Sequence, residues 1–169
     1  MAEAEFEDDH FCFVCGDKNR DGLRIRLTYP EPGRCRAVFV AERRFQGWKD
    51  ILHGGIIATL LDEAFAHAYG GPARGAGEAA VTAEMSVRFK KPVRIGIPVV
   101  LEGRVLSAEG RIVKCESILS GEDGEVLASA TGKLIKPRKT VLEEVCKESS
   151  PGGKVPSSSL GRASRFSAP

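Results

Sequence analysis

Two neighbouring carboxylates, Asp62 and Glu63, lie inside an apolar run that begins at His53-Gly54-Gly55. Acidic side chains in an otherwise apolar helix must be hydrogen-bonded, exposed to water or used in a reaction. A glycine pair at the start of a helix lets the backbone approach a ligand, and free N–H groups there point toward that ligand. This spacing therefore predicts a site at which a polarised carbonyl group meets a carboxylate.

The helix that carries these acids is predicted to span 55–69. At about 100° per residue its apolar residues cover half of the circumference, so we expect this face to lie on a sheet. Asp62 falls on the opposite side, between two alanines that would let another surface approach it. Glu63 is four residues from both Thr59 and His67, a spacing that allows polar contacts along the helix. On periodicity alone, the alternative that both acids simply face water stays open.

Six segments have the alternation or the β-branched content that is typical of strands. They are 24–29, 35–41, 78–91, 98–107, 111–119 and 125–136. The predicted order is therefore two strands, one helix and a meander of four strands. An antiparallel sheet wrapped around one central helix satisfies this order, and the predicted fold class is α+β. The glycine-rich stretch after the helix, 70–77, lacks the GxGxxG spacing of a dinucleotide site.

The chain has 169 residues, enough for one domain with a substantial core. We predict a flexible lead at 1–10, the domain at 11–139 and a disordered tail at 140–169, because 13 of the last 21 residues are Ser, Pro or Gly. The net charge is only +2, so we expect no nucleic-acid partner. The first ten residues lack the features of a signal peptide, and no stretch approaches the ~20 apolar residues of a membrane span. We therefore expect a cytoplasmic protein without membrane contacts.

Five cysteines, an odd number in a chain without a secretory signal, argue against a disulfide framework. Cys12 and Cys15 have the CxxC spacing of half a zinc site, which His10 or Cys35 would have to complete. Because the sequence contains no second CxxC pair, we expect a structural turn here and no bound metal.

The helix motif within this strand order resembles the hotdog-fold acyl-CoA thioesterases, particularly the phenylacetate-pathway (PaaI-like) group. The resemblance covers residues 11–137 and lies in the segments CFVCGDKNRDGLRI, FQGWKDILHGG, HGGIIATLLDEA, VTAEMSVRFKKPV and LASATGKL. It implies a hotdog domain that hydrolyses an acyl-CoA thioester to a free acid and coenzyme A at a dimer interface. It also implies a homodimer or a homotetramer made of two dimers, with coenzyme A as part of the substrate and no other cofactor.

The resemblance further implies roles for single residues. Asp62 would act as general base or nucleophile, and Gly54 and Gly55 would polarise the thioester carbonyl. Gln46 would help to place the water, and Thr82 would contribute a hydroxyl from the partner subunit. These roles agree with the chemistry, since thioester hydrolysis needs an activated water or carboxylate nucleophile and hydrogen-bond donors at the developing oxyanion.

Several residues remain as secondary candidates. Glu63 is the alternative catalytic acid, and His53 would shape the glycine turn or transfer a proton. Trp48 either lines an acyl pocket or belongs to the core. A basic rim for the phosphates of coenzyme A is predicted near two turns, with solvated charged turns as the alternative. Its residues are Lys90, Lys91, Arg94 and Arg111.

Two other functions stay open at this point. One is a non-catalytic acyl-CoA-binding module, regulatory through the basic tail. The other is a hotdog dehydratase. Release of free thiol from acyl-CoA would distinguish a thioesterase from both.

Overall fold

A computed structural model describes residues 9–73 and 80–138, which form a six-stranded antiparallel sheet and one α-helix. In chain order the elements are β1 (Leu27–Thr28), β2 (Arg34–Val40), α1 (Gly54–Gly70), β3 (Val81–Phe89), β4 (Pro98–Glu109), β5 (Ile112–Gly121) and β6 (Val126–Ile135). Short 3-10 helices lie at Arg43–Phe45 and Gly71–Ala73. The strands are arranged in the order β1-β2-β4-β5-β6-β3. The predicted α+β fold, a sheet around one helix, is confirmed.

Helix α1 packs against one face of the sheet and buries the apolar face that its periodicity predicts. Its fully buried side chains include Leu60, Leu61 and Phe65. The helix backbone comes so close to β4 that a Cβ atom at Gly103 would lie 2.4 Å from the carbonyl oxygen of Ala64. Glycine at this position therefore allows the helix to contact the centre of the sheet.

The first strand is much shorter than predicted, because only Leu27–Thr28 of the segment 24–29 pairs with β2. The residues before it hydrogen-bond to the loop that contains the CxxC sequence instead. The Leu23 and Ile25 amides donate to the carbonyl oxygens of Phe13 and Val14, at 2.8 and 2.9 Å. The N-terminal loop is thus held against the domain by backbone bonds that alternation in the sequence does not reveal.

Strand β3 is an edge strand that pairs only with β6 within the described residues. Its side chains are almost all exposed, and the register shifts at a bulge between Thr82 and Glu84. A bulge re-aims the side chains beside it. Here it lies where β3 passes the solvent side of α1.

The predicted domain boundaries are only partly covered by this description. The lead at 1–10, apart from its last two residues, and the tail at 140–169 lie outside the described residues, as does half of the loop at 70–77. In the two described ranges no helix is long and apolar enough to span a membrane.

Candidate active site

Asp62 meets a hydroxyl on the side of α1 that faces away from the core. The Thr82 hydroxyl donates a hydrogen bond to Asp62 Oδ1 at 2.7 Å. Asp62 is half-buried, and Thr82 is exposed on the edge strand. The contact lies within one chain, whereas the resemblance implies a hydroxyl from the partner subunit, and that role of Thr82 stays a prediction. The bulge after Thr82 explains how β3 brings the hydroxyl to its own helix.

The start of α1 is closed by His53, whose Nδ1 accepts a hydrogen bond from the Gly55 amide at 2.9 Å. His53 is therefore the N-cap residue, and its predicted role in shaping the glycine turn is confirmed. The same contact occupies the Gly55 N–H, which weakens the case for Gly55 as a carbonyl-polarising donor. Gly54 precedes it in the first turn, where no helical carbonyl is available to its N–H. The geometry thus favours Gly54 over Gly55 as the oxyanion donor.

An open cleft of about 430 Å³ lies beside this helix start. Its lining residues are Gly47, Trp48, Leu52, His53 and Gly54. Trp48 is 85% exposed, so it lies on the cleft and not in the core. The oxygen of the Gln46 side chain accepts a hydrogen bond from the Asp50 amide at 3.3 Å, which fixes the loop that forms the cleft wall.

Within one chain, the cleft and the Asp62–Thr82 pair are separate. Gly54 and Asp62 are eight residues apart on one continuous helix, which corresponds to about 12 Å along the axis. A reacting carbonyl must lie about 3 Å from its donors and from the attacking group. The structure therefore brings Asp62 together with Thr82, and His53 with Gly54, Gln46 and Trp48, but not the two groups with each other.

Glu63 points in a different direction from Asp62 and is buried, with 7% of its surface exposed. Its Oε1 lies 2.9 Å from His67 Nε2, and the Tyr29 hydroxyl lies 2.6 Å from His67 Nδ1. The predicted contact with His67 is confirmed, whereas Thr59 donates to the Gly55 carbonyl instead. The alternative that both acids simply face water is wrong for Glu63.

The buried network extends to the N-terminal loop, because Cys12 Sγ lies 3.6 Å from Glu63 Oε1. A hydrogen bond from Cys15 lowers the pKa of the Cys12 thiol to about 5. Burial instead raises the pKa of Cys35 to about 12 and that of Cys115 to about 11. Spacing in the sequence predicted neither the contact of Glu63 with Cys12 nor that of His67 with Tyr29. The CxxC spacing was the one available signal.

The predicted basic rim divides into two places. The amides of Lys90 and Lys91 both donate to the Leu127 carbonyl, and the Lys91 ammonium group pairs with Glu125. Arg94 pairs through its backbone with Ile51, beside the cleft.

Arg111 lies at the other end of the sheet. It occupies the β4–β5 turn, where its guanidinium donates to the Lys136 carbonyl at 2.9 Å. The register pairs Ile112 with Ile135 and Leu119 with Ala128, next to which β3 ends. Seven strand residues, about 23 Å, therefore separate Arg111 from the lysines. One chain does not gather the four residues into a single rim.

Comparison with known proteins agrees with this fold. Residues 49–128, which contain α1 and Asp62, match the family model of the Thioesterase superfamily. Over 93 residues the chain is 33% identical to acyl-coenzyme A thioesterase THEM4 of Bos taurus, which covers 54% of this chain and 36% of the relative. It is 29% identical to acyl-coenzyme A thioesterase 13 of Homo sapiens over 112 residues, 66% of this chain and 74% of the relative. The chain thus spans about a third of the length of THEM4.

The fold has counterparts among solved structures. The PaaI protein from the phenylacetic acid degradation operon of E. coli superposes with a TM-score of 0.61 and 20% identity, covering 69% of this chain and 81% of that one. One helix against a six-stranded antiparallel sheet is the hotdog fold. The described residues therefore have the hotdog fold, and the segment 49–128 is similar to the Thioesterase superfamily.

Proposed function

We propose that this protein is an acyl-CoA thioesterase, which hydrolyses a thioester to a free acid and coenzyme A. The observation that carries the proposal is the Asp62 carboxylate held by the Thr82 hydroxyl on the open side of α1. The names of the two curated relatives support the same reaction. A half-buried carboxylate beside a hydroxyl is suited to activating water or attacking a carbonyl directly.

The reaction follows from these groups. Thr82 donates to one oxygen of Asp62, which leaves the other oxygen to take a proton from water or to attack. The new C–O bond places negative charge on the carbonyl oxygen, and an N–H group at a helix start stabilises that charge. In the first route the C–S bond breaks as the tetrahedral intermediate collapses, and the thiolate of coenzyme A takes the proton that Asp62 removed from water. In the second route collapse leaves a mixed anhydride on Asp62, which water hydrolyses to the free acid, and the proton released goes to the thiolate. Glu63 has no place in this scheme, because it is buried on another side of the helix.

We further propose that the complete site lies between two chains. Because about 12 Å of helix separates Gly54 from Asp62, one chain cannot offer both to the same carbonyl. A second copy that presents its helix start to this Asp62 would supply Gly54, His53 and Gln46. The exposed edge of β3 supports such an association, since it carries exposed apolar residues at Val81 and Phe89, and Phe89 lies near Gly54. Two such dimers pairing into a tetramer, and a cytoplasmic location, stay predictions.

Coenzyme A needs cationic partners for its phosphates. Lys90 and Arg94 are the better candidates, because Arg94 adjoins the cleft and Lys90 lies nearby in the same connection. Lys91 is partly neutralised by Glu125, and Arg111 would serve only a site at the far end of the sheet.

The direct test is release of free thiol from a panel of aromatic, short-chain and long-chain acyl-CoAs by the purified full-length chain. We expect saturable hydrolysis of at least one class and its loss in Asp62→Ala. Tight acyl-CoA binding without thiol release would indicate a binding module. Water addition or elimination on the acyl chain without thiol release would indicate a dehydratase.

A complementation experiment tests the shared site. Gly54→Pro removes the N–H at the first helical position, where proline is well tolerated, and His53 already has the extended backbone that precedes proline. Gly54→Pro and Asp62→Ala should each be inactive alone. After mixing through a dissociated state, heterodimers would contain one intact site, which should restore about a quarter of the wild-type rate. No recovery, despite proven heterodimers, would contradict a site built from two chains.

A further inference from the structure

Three metal-ligating side chains meet on the buried side of α1, away from Asp62. They are Cys12 and Cys15 of the N-terminal loop and Glu63 of the helix, and one donor atom of each lies within 4.8 Å of the others. We propose that these residues bind a transition-metal ion, zinc by the chemistry of the donors, which fastens the N-terminal loop to α1. Two thiolates and a carboxylate suit Zn²⁺ better than Mg²⁺ or Ca²⁺, which prefer oxygen ligands. The proposal is independent of thioester hydrolysis.

The loop that carries the two cysteines is a fixed turn. The Val14 amide points at Cys12 Sγ at 3.4 Å, and the Gly16 amide donates to the Cys12 carbonyl at 2.9 Å. A Cβ atom at Gly16 would lie 2.5 Å from backbone atoms of Cys12 and His10, so only glycine fits this turn. The turn therefore presents both sulfur atoms with little freedom, as a metal ligand pair requires.

The separation between donors matches a tetrahedral ion. With Zn–S near ~2.3 Å and Zn–O near ~2.1 Å, a sulfur and an oxygen on one ion lie about 3.6 Å apart. Cys12 Sγ lies 3.6 Å from Glu63 Oε1. This distance suits a thiol that donates to the carboxylate in the metal-free chain, and it also suits two ligands of a shared ion, so the donors need not move to bind one. The fourth position would be left for a water molecule.

The carboxylate also has the support that metal ligands need. His67 is 6% exposed, and its Nε2 lies 2.9 Å from Glu63 Oε1. Donation from Nε2–H leaves Nδ1 to accept the Tyr29 hydroxyl at 2.6 Å, so one neutral tautomer satisfies both contacts. Such outer partners orient a ligating carboxylate and raise the affinity for the metal. Sequence spacing did not suggest Glu63 as a ligand, because His10 and Cys35 were the expected partners, and Cys35 Sγ donates to the Ala64 carbonyl instead.

Metal content measured by mass spectrometry tests the proposal on the full-length chain, purified with all thiols reduced and dialysed against metal-free buffer. We expect one tightly held zinc ion per chain. Cys12→Ser and Cys15→Ser should lose it, and Glu63→Gln should weaken its affinity at least about tenfold. Cys115→Ala is the matched control, because this cysteine is buried in β5 and should leave the zinc in place.

Cobalt provides a readout that needs no variant to fold. Titration of the wild-type apo-chain with Co²⁺ should give tetrahedral d–d bands and a thiolate charge-transfer band, and Zn²⁺ should displace both. Two results would overturn the proposal. One is a fully reduced wild-type chain that holds no stoichiometric zinc and gives no thiolate band with Co²⁺. The other is zinc that Cys12→Ser and Cys15→Ser retain as fully as the wild type.

Discussion

Asp62 and Glu63 are adjacent in the sequence, yet they occupy opposite environments. Asp62 is half-buried and bonded to one exposed hydroxyl on the edge strand. Glu63 is buried and contacts His67 on its own helix and Cys12 in the N-terminal loop. A rotation of about 100° between neighbours on the helix is enough to produce this difference.

We propose that this difference separates a reactive carboxylate, Asp62, from a structural one, Glu63. An acid that activates water needs access to substrate and a free oxygen, which the Asp62–Thr82 arrangement leaves available. An acid removed from water must instead be satisfied by hydrogen bonds or a metal, which describes Glu63. In this proposal one side of the helix carries the reacting carboxylate, and the other side contacts the N-terminal loop.

The largest effect is expected from Asp62→Ala. Loss of the only group proposed to activate water should lower kcat/KM by about a thousandfold. The thermal unfolding midpoint should change little, because the side chain is not part of the core. Steady-state thiol release and thermal unfolding on one preparation check both statements. Near-normal kcat in this variant would move the chemistry to another group.

Unlike Asp62→Ala, Glu63→Ala should mainly lower the stability of the fold. Loss of the carboxylate takes a buried hydrogen-bond partner from His67 Nε2 and from Cys12 Sγ, which should cost about 3 kcal/mol of folding free energy and lower the unfolding midpoint by about 10 °C. Glu84→Ala is the matched control, because Glu84 forms an exposed ion pair with Lys133. Equal midpoints for the two variants would contradict a structural role for Glu63.

Thr82→Val tests whether the hydrogen bond from Thr82 orients Asp62. The substitution keeps the shape and removes the hydroxyl that lies 2.7 Å from Asp62. We expect kcat to fall about tenfold with little change in stability, since one hydrogen bond that positions a reacting group is lost. Thr131→Val on β6 provides the control. A rate equal to that of this control would show that the hydroxyl does not orient Asp62.

The smallest effect concerns the thiol carrier. The double variant Lys90→Ala, Arg94→Ala should raise KM for acyl-CoA about fivefold, while thioesters without the nucleotide are unaffected. The effect should shrink with added salt, because exposed charges are screened. Arg111→Ala, at the other end of the sheet, should leave KM unchanged. A larger increase of KM in Arg111→Ala than in the double variant would show that the nucleotide binds at that end.

Local patterns predicted the parts of the fold that depend on near neighbours. The helix was expected at 55–69 and spans Gly54–Gly70, because apolar periodicity and the glycines at both ends specify it. The contacts of His53 with Gly55, and of Glu63 with His67, span two and four residues and follow from helix geometry. The first strand was too long in the prediction, because its pairing with the N-terminal loop depends on tertiary contacts.

The rest of the site depends on groups far apart in the chain. Cys12 and Glu63 are 51 positions apart, and Tyr29 and His67 are 38 apart, so no spacing rule connects them. Thr82 entered through family resemblance, because it lies 20 positions from the Asp62 carboxylate that it contacts. Only the strand register shows that Arg111 and Lys90 lie at opposite ends of the sheet.

The central claim is that Asp62 takes part in the reaction, whereas Glu63 stabilises the fold. Two isosteric variants measured side by side test it most directly. Thiol release and thermal unfolding would be recorded for Asp62→Asn and Glu63→Gln on the same acyl-CoA. We predict that Asp62→Asn loses about a thousandfold in kcat/KM at an unchanged midpoint. Glu63→Gln should keep kcat/KM within about threefold of wild type while its midpoint falls by about 5 °C. A thousandfold loss of activity in Glu63→Gln with an intact fold, or an active Asp62→Asn, would contradict the account.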